Sequence, residues 1–295
     1  MSESFSNCKK AICFGEILWD NLPSGRLAGG APMNVAYHLR KLGVDALLIS
    51  RVGGDDAGKE LINFVSSIGI PPNHIQTDHE QSTSEVLGEL KANNEMVYTI
   101  TYPTAWDFIS LQDDLITQVA AADVFVFGSL AARNEISKNT LLALLEHAKF
   151  SVFDVNLRAP HYSRETVSTF LSKADFAKLN ENEIMILGEW FTAEKEENAI
   201  VNALMQQFKL SEILITKGAE GGTYYGIKET INYKAEKVEV VDTVGSGDSF
   251  LAAFLSKKLA GEEIKNCLDF ASKLAGFVTS QKGACPIYDI NELAF

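Results

Sequence analysis

A glycine-rich loop that runs into an acidic residue is the strongest chemical signal in the sequence. Gly245, Ser246 and Gly247 open a predicted helix, and Asp248 falls in its first turn. The N–H groups at the start of a helix bind anions, and small residues allow a phosphate to approach the backbone closely. A carboxylate would repel a phosphate that is only bound there, but it can remove the proton from a hydroxyl that attacks a phosphoryl group. The pattern therefore indicates phosphoryl transfer to a hydroxyl.

A second glycine pair, ending at Gly30, opens a predicted helix over 32–42. Asn34 lies in the first turn of that helix and offers both a donor and an acceptor to ligand hydroxyls. For each loop a purely structural alternative stays open. The early loop would be a tight turn feeding a helix, and the late loop would be a helix capped by Asp242 or Thr243.

Polar or glycine-rich segments follow four predicted strands, at 150–155, 176–179, 213–216 and 238–241. Ligands of doubly wound sheets bind beyond the carboxyl ends of the strands, so these segments are expected to meet at one site. The segments are 154–158, 180–183, 216–222 and 242–248. One polar strand end is commonplace, whereas four together indicate a single site.

These segments require an α/β framework to bring them together. Short apolar runs alternate with helical patterns along the chain, which is typical of a mostly parallel sheet covered by helices. Further predicted strands are 11–14, 46–52, 124–127 and 224–226. The predicted helices include 32–42, 57–68, 247–260 and 263–280.

A predicted antiparallel hairpin interrupts this alternation. Its strands are 86–90 and 96–100, joined by a turn at Asn93 and Asn94. Together with residues 16–28, the segment 83–106 is expected to form a small β-sheet lid inserted in the α/β core. The sequence contains no repeat or linker, so residues 1–295 are predicted to form one domain.

Composition excludes several classes of protein. The 26 Lys and Arg against 39 Asp and Glu give a net charge of −13, which disfavours nucleic-acid binding. Four cysteines lie far apart without zinc-ligand spacing, as in a reduced cytosolic protein. The first residues contain no apolar run long enough for a signal peptide, and no apolar run elsewhere is long enough to span a membrane. We therefore expect a cytoplasmic protein.

Two segments resemble the signatures of a known enzyme family. Residues 29–43, GGAPMNVAYHLRKLG, are similar to the N-terminal signature of the ribokinase family, also called the PfkB carbohydrate kinases. Residues 242–248, DTVGSGD, resemble that family's DTxGAGD signature. The similarity covers essentially the whole chain. It implies a ribokinase-like three-layer α/β/α fold with a β-sheet lid, and an ATP-dependent sugar kinase that forms a homodimer through the lid.

The resemblance implies roles for the residues that match the family motifs. Asp248 would be the general base, and the backbone of residues 245–247 would form the anion hole for the transferring phosphate. Arg158 would lie near both the phosphates and the sugar. The positions implied to hold the sugar hydroxyls are Asp20, Gly30 and Asn34.

The resemblance also implies a nucleotide site and cation sites. Asn180 and Glu183 match the family's NxxE motif, which helps to hold Mg²⁺ and the ATP phosphates, partly through water. The other implied nucleotide contacts are Thr216, Gly218 and Gly221, with Ser272 where some relatives place an Asn. Family members often bind K⁺ beside the anion hole, and the positions that could supply such a site are Asp242, Val244 and Gly283.

The overall pattern looks closest to bacterial fructokinase-like members, so fructose is the expected substrate. Ribose, 2-keto-3-deoxygluconate or a nucleoside would need similar polar groups and stay open as alternatives. A non-catalytic sugar or nucleotide sensor with the same fold is a further alternative. A Rossmann dehydrogenase and a P-loop kinase are disfavoured, because the first strand is not followed by GxGxxG and because Glu60 follows Lys59 where a P-loop needs Ser or Thr.

Overall fold

The structure of the protein is a computed structural model that describes residues 8–22, 25–90, 96–291 and 293. Its strands are β1 Lys10–Phe14, β2 Leu18–Leu22, β3 Gly25–Gly29, β4 Asp45–Gly53, β5 Ile75–Asp78, β6 Glu85–Leu90, β7 Met96–Ile100, β8 Val124–Gly128, β9 Ser151–Asp154, β10 Phe176–Asn180, β11 Glu212–Thr216, β12 Gly222–Gly226 and β13 Thr230–Tyr233. Its α-helices are α1 Ala31–Lys41, α2 Asp56–Ser67, α3 Asp113–Ala121, α4 Glu135–Leu145, α5 Arg164–Leu171, α6 Glu181–Phe191, α7 Glu197–Phe208, α8 Ser246–Leu259 and α9 Ile264–Thr279.

The large sheet is mostly parallel. Its strand order is β13-β12-β11-β10-β9-β8-β1-β4-β5, and only the β11–β12 and β12–β13 pairs are antiparallel. The carboxyl ends of β9, β10 and β11 therefore lie side by side at one edge. As a result, the residues that follow these three strands are neighbours in space although they are far apart in sequence.

Side chains of the central strands alternate between two apolar layers, because successive residues of a strand point to opposite faces. Ala11 and Cys13 of β1 pack in a cluster with residues of α1, α2, α8 and α9. Ile12 and Phe14 pack in a second cluster with residues of α3 to α7. Helices thus cover both faces of the sheet, which is the predicted three-layer α/β/α arrangement.

The smaller sheet has the strand order β3-β2-β6-β7. β6 and β7 form the predicted antiparallel hairpin. β2 pairs with β6, so a strand within residues 16–28 joins the hairpin in one sheet, as predicted. The predicted turn at Asn93 and Asn94 lies outside the described residues. The assignment of residues 1–295 to one domain stays a prediction.

Most predicted elements are confirmed with ends that differ by one or two residues. The predicted helices over 32–42, 57–68, 247–260 and 263–280 correspond to α1, α2, α8 and α9. The sequence analysis missed β5 and β13, which are both short strands at the edges of the large sheet.

The predicted strand at 238–241 is wrong. These residues form no ladder, and Val240 and Val241 are exposed. The backbone N–H groups of Val241 and Asp242 instead donate to the carbonyl of Thr279 at the end of α9. The valine-rich segment therefore resembles a strand in composition only. Val238 and Val240 instead line a cavity. Within the described part of the chain, no helix is both long enough and apolar enough to cross a membrane.

Candidate active site

Asp248 lies in the first turn of α8, directly after the glycine-rich loop. Its carboxylate accepts a hydrogen bond of 2.7 Å from Nδ2 of Asn34 in α1, so the two glycine-led helices meet at this residue. Burial, together with the negative charge of Asp154, raises the pKa of Asp248 to about 6, against the opposing effects of Asn34, Lys178 and Arg158. A carboxyl group with this pKa is mostly ionised at neutral pH and still basic enough to take a proton.

Residues 245–247, called the anion loop below, are shaped by a close contact with the C-terminal segment. Gly245 has φ +77°, and a Cβ at this position would lie 2.5 Å from the Cβ of Ala284. Gly245 is also the N-cap of α8, so the alternative in which Asp242 or Thr243 caps this helix is wrong. Within the described chain, no acceptor faces the N–H groups of Gly247 and Asp248, which leaves them free for an anion.

The early glycine pair lets a polar cluster form next to Asn34. A Cβ on Gly29 would lie 2.6 Å from Oδ2 of Asp20, and a Cβ on Gly30 would collide with the carbonyl oxygen of Glu16. Gly30 also has φ +120°, which L side chains rarely adopt. The structure thus brings Asp20, Gly30 and Asn34 together, as the resemblance implied.

Arg158 is an exposed residue after β9 whose charge reaches the same cluster. Burial raises the pKa of Asp20, and the positive charge of Arg158 opposes this increase. Arg158 likewise opposes the increases at Glu16 and Asp248. Arg158 is therefore an exposed cation whose charge acts on three carboxyl groups of the site.

Asn180 and Glu183 form a reciprocal capping box at the start of α6. Oδ1 of Asn180 accepts from the N–H groups of Asn182 and Glu183, so its side-chain NH₂ is the part left for a ligand. The oxygens of Glu183 accept from the N–H groups of Leu157 and Asn180, both at 2.8 Å. Each of these oxygens keeps a second acceptor position, which fits contact with a hydrated Mg²⁺ through water.

A cavity of about 550 Å³ extends from the anion loop to α9. This volume lies in the range of small-molecule sites. Its polar lining includes Ser246, Gly247 and Thr243. Its apolar lining includes Tyr233, Phe250 and several smaller side chains. The predicted nucleotide contacts that line it are Thr216, Gly218, Gly221 and Ser272.

The turn after β11 needs its two glycines. Gly218 and Gly221 have φ +54° and +92°, and a Cβ on Gly221 would collide with the carbonyl oxygen of Tyr233. Lys217, which connects β11 to Gly218, forms an ion pair: its Nζ lies 2.8 Å from a carboxylate oxygen of Glu197.

Ser272 uses its hydroxyl to fix the cavity wall. Its Oγ donates to the carbonyl of Lys234 at 2.8 Å and accepts from the N–H of Glu236 at 2.9 Å. The hydroxyl is thus engaged with the backbone, and its contribution to a nucleotide contact stays a prediction.

The three residues predicted for a K⁺ site meet beside the anion loop. The carboxylate of Asp242 accepts from the N–H of Val244 and the N–H of Gly283, both at 3.0 Å. These bonds join the DTVGSGD segment to the C-terminal loop. Both carboxylate oxygens keep acceptor capacity, so the arrangement fits a monovalent cation held by oxygen atoms.

Two charged residues near the site were missed in the sequence analysis. Lys178 is a buried lysine of β10 whose Nζ lies 2.9 and 3.1 Å from the oxygens of Asp154. Glu16 accepts from the N–H of Ala31 at the start of α1, and burial raises its pKa to about 7. A signal existed for Lys178, because lysine is almost never buried in a strand unless it is paired.

Comparisons with known proteins identify the family of the chain and its fold. The pfkB family carbohydrate kinases match residues 24–290. A fructokinase from Klebsiella pneumoniae is 29% identical, with 93% of this chain and 94% of the relative covered. The crystal structure of a fructokinase from Xylella fastidiosa with bound ATP has a TM-score of 0.81 at 23% identity, with 94% of each chain covered. A double mutant of the Vibrio cholerae fructokinase, with fructose, ADP and potassium ion bound, has a TM-score of 0.80 at 22% identity, again with 94% of each chain covered.

The structural neighbours share the ribokinase-like fold, in which a large, mostly parallel sheet is accompanied by a smaller separate sheet. The family match covers far more than half of the sequence and includes the anion loop and Asp248. The chain therefore belongs to the pfkB family of carbohydrate kinases.

Proposed function

We propose that this protein is an ATP-dependent fructokinase that transfers the γ-phosphoryl group to a hydroxyl of fructose and forms fructose 6-phosphate. The observation that carries the proposal is the position of Asp248. Its carboxylate bonds to Asn34 on the sugar side, and the preceding residue Gly247 lines the nucleotide-sized cavity. The similarity to fructokinases from Klebsiella, Xylella and Vibrio supports fructose over other sugars.

In this mechanism the sugar lies between the early glycine pair and Asp248. Asp20, the backbone at Gly30 and Asn34 hold its hydroxyls, and Arg158 contacts both the sugar and the phosphates. Asp248 removes the proton from the attacking hydroxyl. The free N–H groups at the anion loop stabilise the negative charge on the transferring phosphoryl group.

ATP occupies the cavity, with its base among the apolar residues and its phosphates directed to the anion loop. Thr216, Gly218 and Gly221 contact the nucleotide at the turn after β11, and Ser272 supports the opposite wall. Asn180 would donate to the phosphates, and Glu183 would hold Mg²⁺ through water. Bound Mg²⁺ would neutralise part of the phosphate charge. Asp242, Val244 and Gly283 would hold K⁺ beside the loop, where it would add positive potential.

The small sheet is proposed to act as a lid. Its strand β2 carries Asp20, and β3 leads directly into Gly30, so movement of this sheet would close or open the sugar site. Closure would exclude water and limit hydrolysis of ATP. A homodimer that pairs two lids would cover the open edges of this sheet. Size-exclusion chromatography with light scattering measures the oligomeric state.

A coupled ADP-release assay tests the function. Mg·ATP is supplied with fructose, ribose, 2-keto-3-deoxygluconate, tagatose or adenosine, each with and without K⁺. Selective turnover of fructose, with the product identified as fructose 6-phosphate, is the expected result. Selective turnover of another acceptor would overturn fructose as the substrate. Binding of ATP without turnover of any acceptor would favour a sensor.

A further inference from the structure

Lys178 occupies an unusual place for a lysine. It is the central residue of β10, a strand with neighbours on both sides, and its side chain is only 9% exposed. The register of the sheet sets Lys178 opposite Asp154, the last residue of β9. Both oxygens of that carboxylate lie within 3.1 Å of Nζ. The ammonium is thus held at one point beneath the carboxyl ends of the strands.

That point lies directly against the anion loop. A Cβ built on Gly247 would lie 3.4 Å from Nζ of Lys178 and 3.8 Å from its Cε. These are ordinary contact distances, so the end of the Lys178 side chain lies next to the backbone of the loop. Ser246 and Gly247 of the same loop line the nucleotide-sized cavity, and Lys178 is not among its lining residues.

The stability of α8 does not explain a cation at this position. The N-terminus of a helix carries a partial positive charge, so an ammonium group packed against it is repelled. Asp154 offsets this repulsion, but a neutral residue would avoid it altogether. The arrangement becomes favourable when an anion binds over the loop and interacts with both the helix N-terminus and the ammonium group.

Lys178 remains charged in this environment. Burial by itself would lower its pKa, but the negative charges of Asp154, Asp248 and Glu183 outweigh burial and raise it. The charged or titratable groups that face Asp248 from the surrounding elements are Glu16, Asp154, Arg158, Lys178 and Cys285. Of these, Lys178 is the buried cation.

We propose that Lys178 is a positioning residue for phosphoryl transfer: its ammonium, fixed by Asp154 behind Gly247, supplies the positive charge that holds the γ-phosphoryl group over the anion loop and sets the charge balance around Asp248. It acts through the loop and through Asp248. This inference rests on the proposed kinase function. An alternative role, an ion pair that only stabilises the sheet, makes different predictions.

The activity test uses Lys178→Met, Asp154→Asn and the double variant. Lys178→Met is expected to lower kcat by about 10²-fold or more, as loss of a preorganised charge at a transition state does, with the sugar KM changed by less than about threefold. It also leaves Asp154 unpaired, so the melting temperature falls. The double variant removes both charges and is expected to regain the melting temperature but not kcat. Lys178→Arg, which retains the charge, is expected to recover part of kcat.

A matched control comes from the other end of α8. Lys258 lies 2.8 Å from a carboxylate oxygen of Glu212, a partly buried ion pair of similar length that is remote from the anion loop. Lys258→Met is expected to lower the melting temperature while kcat stays within about twofold of the wild-type value. If the double variant recovered kcat together with its melting temperature, Lys178 would be only a structural residue.

The pH profile of kcat/KM gives a readout that a structural role would not move. Lys178 lowers the pKa of Asp248, whereas Asp154 raises it. Lys178→Met is therefore expected to move the acidic limb of the profile to higher pH, and Asp154→Asn to lower pH. A profile that moves in the same direction in both variants, or in neither, contradicts the proposal.

Nucleotide affinity separates failure of this inference from failure of the proposed function. Calorimetry is performed with ATP and with ADP on the wild type and on Lys178→Met, without sugar. The variant is expected to bind ATP at least about tenfold more weakly, while ADP affinity changes by less than about threefold, because only ATP places a γ-phosphoryl group over the loop. This result would support the role of Lys178 even if the wild type phosphorylated none of the sugars offered. Equal losses for both nucleotides, or none, would overturn it.

Discussion

Replacing the proposed base tests the mechanism and the energetics of its site together. Asp248→Asn keeps the size of the side chain and an oxygen that can accept from Asn34, but it removes the basic group. Loss of general-base catalysis lowers kcat by about 10²- to 10⁴-fold, which corresponds to about 3–5 kcal/mol in the activation barrier. ATP affinity is not expected to fall, because the substitution removes a negative charge near the phosphates and takes away no group that would bind them.

The same variant is expected to be more stable than the wild type. Folding raises the pKa of Asp248 from 3.8 to about 6, so ionising this carboxyl in the folded state costs up to about 3 kcal/mol. Partial exposure to solvent reduces the expected gain in the free energy of unfolding to about 1–3 kcal/mol. The cost is absent below both pKa values and fully present above about pH 6. The stability difference between variant and wild type therefore grows as the pH rises from about 4 to about 7.

Coupled ADP release gives kcat, calorimetry gives ATP affinity, and urea unfolding at several pH values gives stability. The reasoning is refuted if Asp248→Asn turns over fructose at the wild-type rate. It is also refuted if the variant loses stability at pH 8 relative to the wild type, since this would mean that the ionised carboxylate stabilises the fold.

Three further substitutions probe the rest of the site. Gly245→Ala places a Cβ against Ala284 at φ +77° and is expected to lower the free energy of unfolding by about 1–3 kcal/mol and kcat by at least tenfold; urea unfolding and the ADP-release assay measure both. Gly30→Ala places a Cβ against the carbonyl oxygen of Glu16. It is expected to raise the fructose KM more than the ATP KM, which two-substrate kinetics measures. Ser272→Ala removes the two bonds that hold the cavity wall and is expected to raise the ATP KM about three- to tenfold with little change in kcat.

The fold was largely predictable because the signals that specify it are local. A strand such as β8, Val124–Gly128, is a short apolar run, and helices such as α2 show apolar periodicity and end at a glycine. Val238 and Val240 were misassigned for the same reason. Their β-branched side chains resemble a strand, but whether they pair with a neighbour or line a cavity depends on packing against α9, which the local sequence does not encode.

The candidate site was predictable where its residues belong to contiguous motifs. Asp248 and the anion loop could be identified because the loop, the helix and the carboxylate follow one another in the chain. Lys178 could not be assigned to the site from spacing, since it lies 70 residues before Asp248. Its position depends on the sheet register that sets it opposite Asp154. The contact of Gly245 with Ala284 likewise depends on how the C-terminal segment returns to the loop.

The electrostatics of the site conflict with stability at several points. A bound nucleotide would relieve the conflicts at the Lys178 ammonium and at the free N–H groups, but not the raised pKa of Asp248, because phosphate repels its carboxylate. Asp248 is an acid with a raised pKa beside Asp154, and Lys178 is a cation packed against a helix N-terminus. The N–H groups of Gly247 and Asp248 lack acceptors in the described chain. Phosphate oxygens over the loop would accept from these groups and attract the ammonium. Because a ligand that binds only the folded state stabilises it, the arrangement gives up some stability of the free protein and recovers it when the nucleotide binds.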